Sequence, residues 1–270
     1  MSDADFKAFE AAGWSERAGT FETLIARATA VAVEPLLDAA AVGAGARVLD
    51  VGCGLGTLAA AAAARGAEVT GADLAEGMLA EARRRHPGIE FVLADGEALP
   101  FPDDAFDAVL GAFVVNHLPQ PERAVAEMLR VARPGGRVAL AMWGPMEDVA
   151  ILGLPTAAAN AAGLGNEAIP AGPSSIRFTD ARELTGLLAG NDDVALEELR
   201  FSLPAAGFDV LWDGVIGGSV RTSSRLLSAP PEVRERARDE LRRLAEPYRA
   251  GDGYALPTLV RLASCRCCPR

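Results

Sequence analysis

Asp50 closes the short apolar run Val48-Leu49 and is followed by glycine at positions 52, 54 and 56. These residue types at this spacing suit ligand holding. Glycines let the backbone turn sharply and let a ligand lie against it. The N–H groups that open the next stretch, Thr57 to Arg65, mostly alanine and expected to be helical, can hold a carboxylate. A carboxylate beneath the turn suits a ligand carrying an ammonium group and would repel a pyrophosphate. A dinucleotide fingerprint, Gly-x-Gly-x-x-Gly, would also need glycine at position 57, where Thr57 stands. Both features speak against a NAD-linked oxidoreductase on a similar sheet.

Further blocks follow in order. Ala67 to Asp73 reads as a second strand ending in an acid, where a ribose diol is gripped by a carboxylate. Phe91 to Ala94 is a third strand, followed by Asp95-Gly96-Glu97. Asp95 can accept from an adenine amino group, and the Gly96 N–H can reach the adjacent ring nitrogen. Phe106 to Phe113 reads as a fourth strand, and Ala132 to Val138 as a helix stop, a turn and the start of a fifth.

As a set, these blocks resemble the class I S-adenosylmethionine-dependent methyltransferases of the ubiquinone/menaquinone-biosynthesis type, over Trp14 to about Trp143. Val48 to Gly56 resembles their motif I. The resemblance implies a doubly wound, seven-stranded, mostly parallel α/β sheet of the Rossmann-like kind, its final strand antiparallel, with a helical cap. It implies S-adenosylmethionine as cofactor, held by Asp50, Gly52, Gly54, Gly56, Asp73, Leu74, Met78, Asp95, Gly96, Glu97 and Phe113. The implied activity is methyl transfer to a small-molecule acceptor at oxygen, nitrogen or carbon, as in secondary metabolism. A cyclase or rearrangement catalyst that keeps the fold and the cofactor but drops the transfer is the alternative.

The elements that must position these residues divide the chain. Residues 1–45 are expected to form N-terminal helices or a lid, including a helix over Glu22 to Ala41. Residues 46–143 form the cofactor-binding core. Residues 144–175 and 205–250 form a helical cap over the carboxyl ends of the strands, where ligands bind in open α/β sheets. Residues 176–204 and 251–264 supply the remaining core helix and strands: a helix capped by Thr179, a strand over Val194 to Leu203 and a closing strand over Tyr254 to Ala263. Two helical segments are expected in Gly207 to Arg249. Residues 265–270, with Cys265, Cys267 and Cys268, are expected to be a solvated tail with reduced thiols, since Cys-x-Cys-Cys without a histidine or second cluster is no zinc spacing. No metal site is expected.

Methyl transfer from a sulfonium is an in-line displacement needing alignment, exclusion of water and, for a hydroxyl or acidic carbon, a base. His86, in Arg-Arg-Arg-His-Pro, reads as a solvated helix cap. His117, in Val-Val-Asn-His-Leu-Pro just after the fourth strand, falls where the methyl is expected. It suits a general base; the alternative, and the commoner use of such a residue, is a helix-entry histidine packed on backbone. Trp14 and Phe21 suit either a lid or core anchors. With Trp143, Trp212 and Arg221 they would line a mostly apolar acceptor pocket with one arginine. No Asn-Pro-Pro-Tyr block follows the fourth strand, which disfavours amino methylation of DNA or protein glutamine.

Composition bounds the partners. The 270 residues carry a net charge of −11 and are half apolar, enough for a full core. No basic stripe appears, so nucleic acid and anionic membrane are poor partners for this surface. No apolar run reaches the ~18–20 residues of a membrane helix, and Met1 to Glu10 is too polar for a secretory leader. A cytoplasmic monomer or homodimer is the expectation.

Overall fold

The computed structural model describes residues 2–22 and 24–268. Its helices are α1 (Asp3–Arg17), α2 (Leu24–Ala30), α3 (Val33–Ala39), α4 (Thr57–Ala64), α5 (Glu76–Arg85), α6 (Pro121–Val131), α7 (Ala150–Ala161), α8 (Ala181–Gly186), α9 (Phe208–Gly218), α10 (Arg221–Leu227) and α11 (Pro231–Ala245). The strands are β1 (Arg47–Val51), β2 (Glu68–Asp73), β3 (Glu90–Leu93), β4 (Phe106–Ala112), β5 (Ala132–Trp143), β6 (Asp192–Ala205), β7 (Arg249–Ala250) and β8 (Gly253–Arg266). They form one sheet in the order β3-β2-β1-β4-β5-β8-β6, with the two-residue β7 paired to β8. This is the expected doubly wound sheet, with one short strand more than the seven expected.

Two compact units divide the chain. One comprises residues 29–143, 173–199 and 260–270, and the other residues 1–28, 144–172 and 200–259. The first holds the parallel strands. Val48 and Leu49 of β1 are fully buried, as are Val109 and Leu110 of β4, as strands covered on both faces require. The alanines of α4 let the helix lie close to the sheet, and Ala59 and Ala62 are fully buried. In α6, Pro121 opens the first turn, where its missing N–H costs nothing. Ala124, Val125, Met128 and Val131 make the buried face of α6. Burying side chains of the Val and Met kind contributes about 1.5–3 kcal/mol each. β8 closes this unit antiparallel to β5, from Arg137 opposite Arg266 to Trp143 opposite Val260.

The second unit is mainly helical. α9 carries glycines where the N-terminal segment approaches closely. A Cβ on Gly214 would lie 2.6 Å from Leu24 Cβ, and one on Gly218 2.4 Å from Ile25 Cγ1.

Four expectations are corrected. The single helix over Glu22 to Ala41 is two, α2 and α3. Pro35 sits in the first turn of α3, and its ring would clash with the Val31 carbonyl in an unbroken helix. The cap of α8 is Asp180, not Thr179, because the Asp180 carboxylate accepts from the Arg182 and Glu183 amides. Gly207 to Arg249 holds three helices rather than two: α9 ends at its glycine pair, and Pro230-Pro231 starts α11. The cysteine segment is not a solvated tail. Cys265 pairs opposite Val138 and is fully buried, and the Cys267 amide donates to the Gly136 carbonyl. The hydrogen bond to Cys267, together with burial, pushes the Cys265 thiol far above its usual range. Pro269 and Arg270 lie outside the described residues.

Candidate functional site

The strands β1, β2, β4 and β5 run parallel, so their final residues Val51, Asp73, Ala112 and Trp143 share one edge of the sheet. The turn after β1 lies on that edge. Gly54 has φ +53, a conformation that side-chain-bearing residues adopt at a cost, and a Cβ there would meet nothing within 4 Å. The glycine serves the backbone conformation and leaves an open face. At Gly52 the reason is close approach: a Cβ would stand 2.5 Å from Val114 Cγ2. The loop after β4 is thus pressed onto the turn after β1.

Asp50 lies beneath the turn, 1% exposed, and neither carboxyl oxygen has a hydrogen-bond partner. Burial, then the charge of Asp73, push its pKa up to about 7, and a weak pull from the Ala59 amide does not offset them. A buried carboxylate without a partner is costly, by about 1–3 kcal/mol or more. An ammonium group brought to this position would relieve it. The donor set therefore fits the cofactor that the sequence implies.

Asp73 ends β2. Its Oδ2 accepts from the Gly54 amide at 2.8 Å and its Oδ1 from the Ala75 amide at 2.8 Å. Burial raises its pKa, while the Ala75, Gly54 and Leu74 amides and the charge of His117 pull it down. Each oxygen keeps a second lone pair for a further donor. The Gly54 amide, one of the N–H groups a ligand carboxylate could use, is held by Asp73. Leu74 is half-buried and Met78 is buried on the inner side of α5.

After β3 the chain turns tightly. Asp95 Oδ1 accepts from the Glu97 amide at 2.9 Å, and the Ala98 amide donates to the Asp95 carbonyl. Gly96 is half-buried, and a Cβ there would lie 3.3 Å from Val51 Cγ1, so this turn packs on the end of β1. Glu97 is 2% exposed, and its Oε1 accepts from the Gln120 amide at 2.7 Å at the entry to α6. That bond gives Glu97 a part in holding α6, which sequence reasoning missed.

The loop after β4 carries the remaining candidates of this unit. Phe113 has φ +56, and its ring lies 4.3 Å from that of Trp143 at an interplanar angle of 37°. His117 ends a 3-10 turn, half-buried, with Asn116 Nδ2 3.2 Å from its Nε2. The Asn116 side-chain amide and the His117 ring are thus within hydrogen-bonding distance of one another. His86 is half-buried rather than solvated: a Cβ on Gly56 would meet its Cδ2 at 3.0 Å.

The other candidates fall in the helical unit. Trp14 packs edge-on against Phe21, centroids 5.6 Å apart, and its Nε1 donates to Glu10 Oε2 at 3.1 Å. Arg221 Nε donates to Glu10 Oε1 at 2.6 Å, and its guanidinium lies over the Phe6 ring. Glu10 is 4% exposed. Arg221, expected to line the acceptor pocket, is paired with this buried carboxylate. Nothing in the sequence marked Glu10, which reads as one more surface acid of α1. Trp212 lies near Arg238, 5.9 Å from guanidinium to ring. Among the described residues no group of His, Cys, Asp and Glu could hold a metal ion, and no helix is long and apolar enough to cross a membrane.

Residues 49–140 match the methyltransferase domain family. Over this third of the chain the sequence is of the methyltransferase-domain type. It is 49% identical over 100 residues to the demethylmenaquinone methyltransferase of Clavibacter sepedonicus, 36% of this chain and 41% of that protein. It is 42% identical over 127 residues to methyltransferase GfsG of Streptomyces halstedii, 43% of this chain and 46% of that one. The chain thus spans less than half the length of either relative. In fold it is similar to the YcgJ protein of Bacillus subtilis, with a TM-score of 0.56 and 21% identity over 87% of this chain and 98% of that one.

Proposed function

We propose that this chain transfers a methyl group from S-adenosylmethionine to a small-molecule acceptor. The observation that carries the reading is Asp50: a buried carboxylate without a hydrogen bond, beneath an open glycine turn, inside a methyltransferase domain. A pyrophosphate would be repelled there and an ammonium welcomed. When bound, the cofactor supplies a methyl on a good leaving group.

The chain's own residues then bind, orient and take up a proton. Asp50 holds the ammonium. Asp73 accepts from the ribose hydroxyls with its spare lone pairs. Asp95 accepts from the adenine amino group, and the Gly96 N–H donates to the neighbouring ring nitrogen. His117 Nε2, released from Asn116, takes the proton of an acceptor hydroxyl, amine or acidic carbon. The segments 144–175 and 205–250 serve as the helical cap that excludes water during transfer. The charge of −11 supports a small-molecule acceptor rather than a nucleic acid.

Incubation with S-adenosylmethionine labelled in its methyl group, across phenolic, amine and enolic acceptors, tests the reading. Label incorporated into an acceptor supports transfer. Acceptor converted without label assigns the site to a rearrangement that uses only the sulfonium's charge. Calorimetry showing no cofactor binding overturns both.

A further inference from the structure

We propose that the outer edge of β6 pairs with a second copy of this chain: two β6 strands lie side by side, antiparallel, about a two-fold axis through Leu196, and join two sheets into one.

The edge is open. β6 ends the sheet order, and among the described residues no strand pairs with its outer side. It is 14 residues long, and its first seven, Asp192 to Glu198, are all exposed, so neither face is covered there. Val194 is 40% exposed and Leu196 39%, and strand alternation puts both on one face. An outer strand presents a row of backbone N–H and C=O groups, and a long exposed one carrying apolar side chains is a site of association. Pro204, which would interrupt pairing, stands beyond this stretch, between the buried Leu203 and Ala205.

Charged side chains commonly blunt such edges. Here the acids are answered within the sheet. Arg266 of β8 lies 3.4 Å from Asp192 and 2.9 Å from Asp193, and Arg261 of β8 lies 2.8 Å from Glu198. Arg200 places a further cation at the far end of the exposed stretch, its side chain 60% exposed and 3.5 Å from Asp148. The edge is therefore no anionic barrier to its own copy.

The charges also choose the register. Directly opposed residues of an antiparallel pair share a face, so two-fold symmetry sets one residue opposite its own copy. With Leu196 on the axis, Asp192 stands opposite Arg200 at both ends, Asp193 opposite Leu199, Val194 opposite Glu198 and Ala195 opposite Glu197. No like charges meet, and the two exposed Leu196 side chains cover each other with Val194 on the diagonal. Other registers are worse. With Ala195 on the axis, Asp192 and Asp193 face Glu198 and Glu197. With Glu197 or Glu198 there, a glutamate faces itself. With Val194 there, the overlap shrinks to Asp192 through Leu196. With Leu199 there, the pairing runs into the buried Leu203, and Val194 opposes Pro204, which has no N–H to donate.

Sedimentation velocity of the full chain from about 1 to 100 µM tests the pairing, with a monomer–dimer equilibrium expected inside that range. Asp192→Arg or Arg200→Asp alone sets like charges opposite each other at both ends and should weaken the dimer about tenfold or more. The double variant Asp192→Arg with Arg200→Asp should restore it. Cross-linking reads the register. Cys268→Ser leaves only buried thiols. In that background Leu196→Cys should link to its own copy when diamide is added, whereas Ala195→Cys and Glu197→Cys should link only when the two proteins are mixed. A monomer throughout the range overturns the proposal. So does a double variant that dimerises no better than the single ones, or self-linking at Ala195→Cys or Leu199→Cys that exceeds that at Leu196→Cys.

Discussion

The Gly54 amide donates to Asp73 Oδ2 at 2.8 Å, so the acid that ends β2 clamps the open glycine of the turn after β1. One carboxylate therefore shapes the turn and, in the proposed function, also faces the ligand. Asp73→Ala removes both effects and should weaken S-adenosylmethionine binding about ten- to a hundredfold, the worth of a charge-assisted hydrogen bond of ~1.5–3 kcal/mol. The thermal midpoint of the ligand-free protein should fall as well, because the turn loses its clamp. Calorimetry beside thermal unfolding checks both, and unchanged affinity in a folded variant removes Asp73 from the site.

Asp50 links stability to pH. Its folded pKa, pushed to about 7 by burial and by Asp73, lies above the ordinary 3.8. Between those values the folded protein holds the proton more tightly than the unfolded chain does. Stability of the ligand-free protein should therefore rise as pH falls from about 7 towards 4, by up to about 4 kcal/mol from this group. Cofactor affinity should move the other way, since the ammonium needs the ionised carboxylate. Thermal unfolding from pH 5 to 8 should show the slope in the wild type and a flatter one in Asp50→Asn.

Gly54→Val should leave the fold intact and abolish cofactor binding. A branched side chain at φ +53 is strained and fills the open face. Circular dichroism should match the wild type. Normal calorimetric binding would show that the ligand does not cross this glycine.

His117→Ala should lower turnover by ~10²–10⁴ while cofactor affinity stays near that of the wild type. Asn116→Ala, which removes the side-chain contact to the His117 ring, should lower turnover less. A His117→Ala enzyme that keeps most of its rate assigns the acceleration to alignment alone.

Glu10→Ala should destabilise the helical unit by up to about 3 kcal/mol, because it leaves the partly buried Arg221 guanidinium without its carboxylate. Denaturant unfolding measures this. Glu10→Gln, which keeps acceptor oxygen for Trp14, should cost less.

What the sequence made legible follows its periodicity and its special residues. β1, β2, β4 and β5 could be read because apolar runs ending in Asp50, Asp73, Phe113 and Trp143 leave few alternatives. Asp95 and Glu97 were visible as acids in a turn. That Glu97 spends its carboxylate on the Gln120 amide depends on a contact 23 positions away, and no local pattern encodes it. The split between α2 and α3 was encoded by Pro35 and overlooked, since proline in a first turn is compatible with a helix that starts there. Arg221 reads as a pocket residue because its partner, Glu10, lies 211 residues earlier. The cysteines looked solvated because polar and proline neighbours suggested a tail, while the pairing with β5 that buries them is a long-range event.

That pairing gives the chain an internal clock. Cys53, Cys265 and Cys267 are buried, and only Cys268 is half-exposed. A thiol-reactive chromophore added in excess should label Cys268 at once and the others only as the protein opens. Cys53 sits within the glycine turn, whereas Cys265 and Cys267 are sealed by the last strand. Release of a second equivalent alone would report breathing of the turn, slowed by any ligand seated on it. Release of the last two together would time the peeling of β8 from β5. Stopwatch chemistry on four sulfurs could thus separate ligand gating from unfolding without any engineered probe.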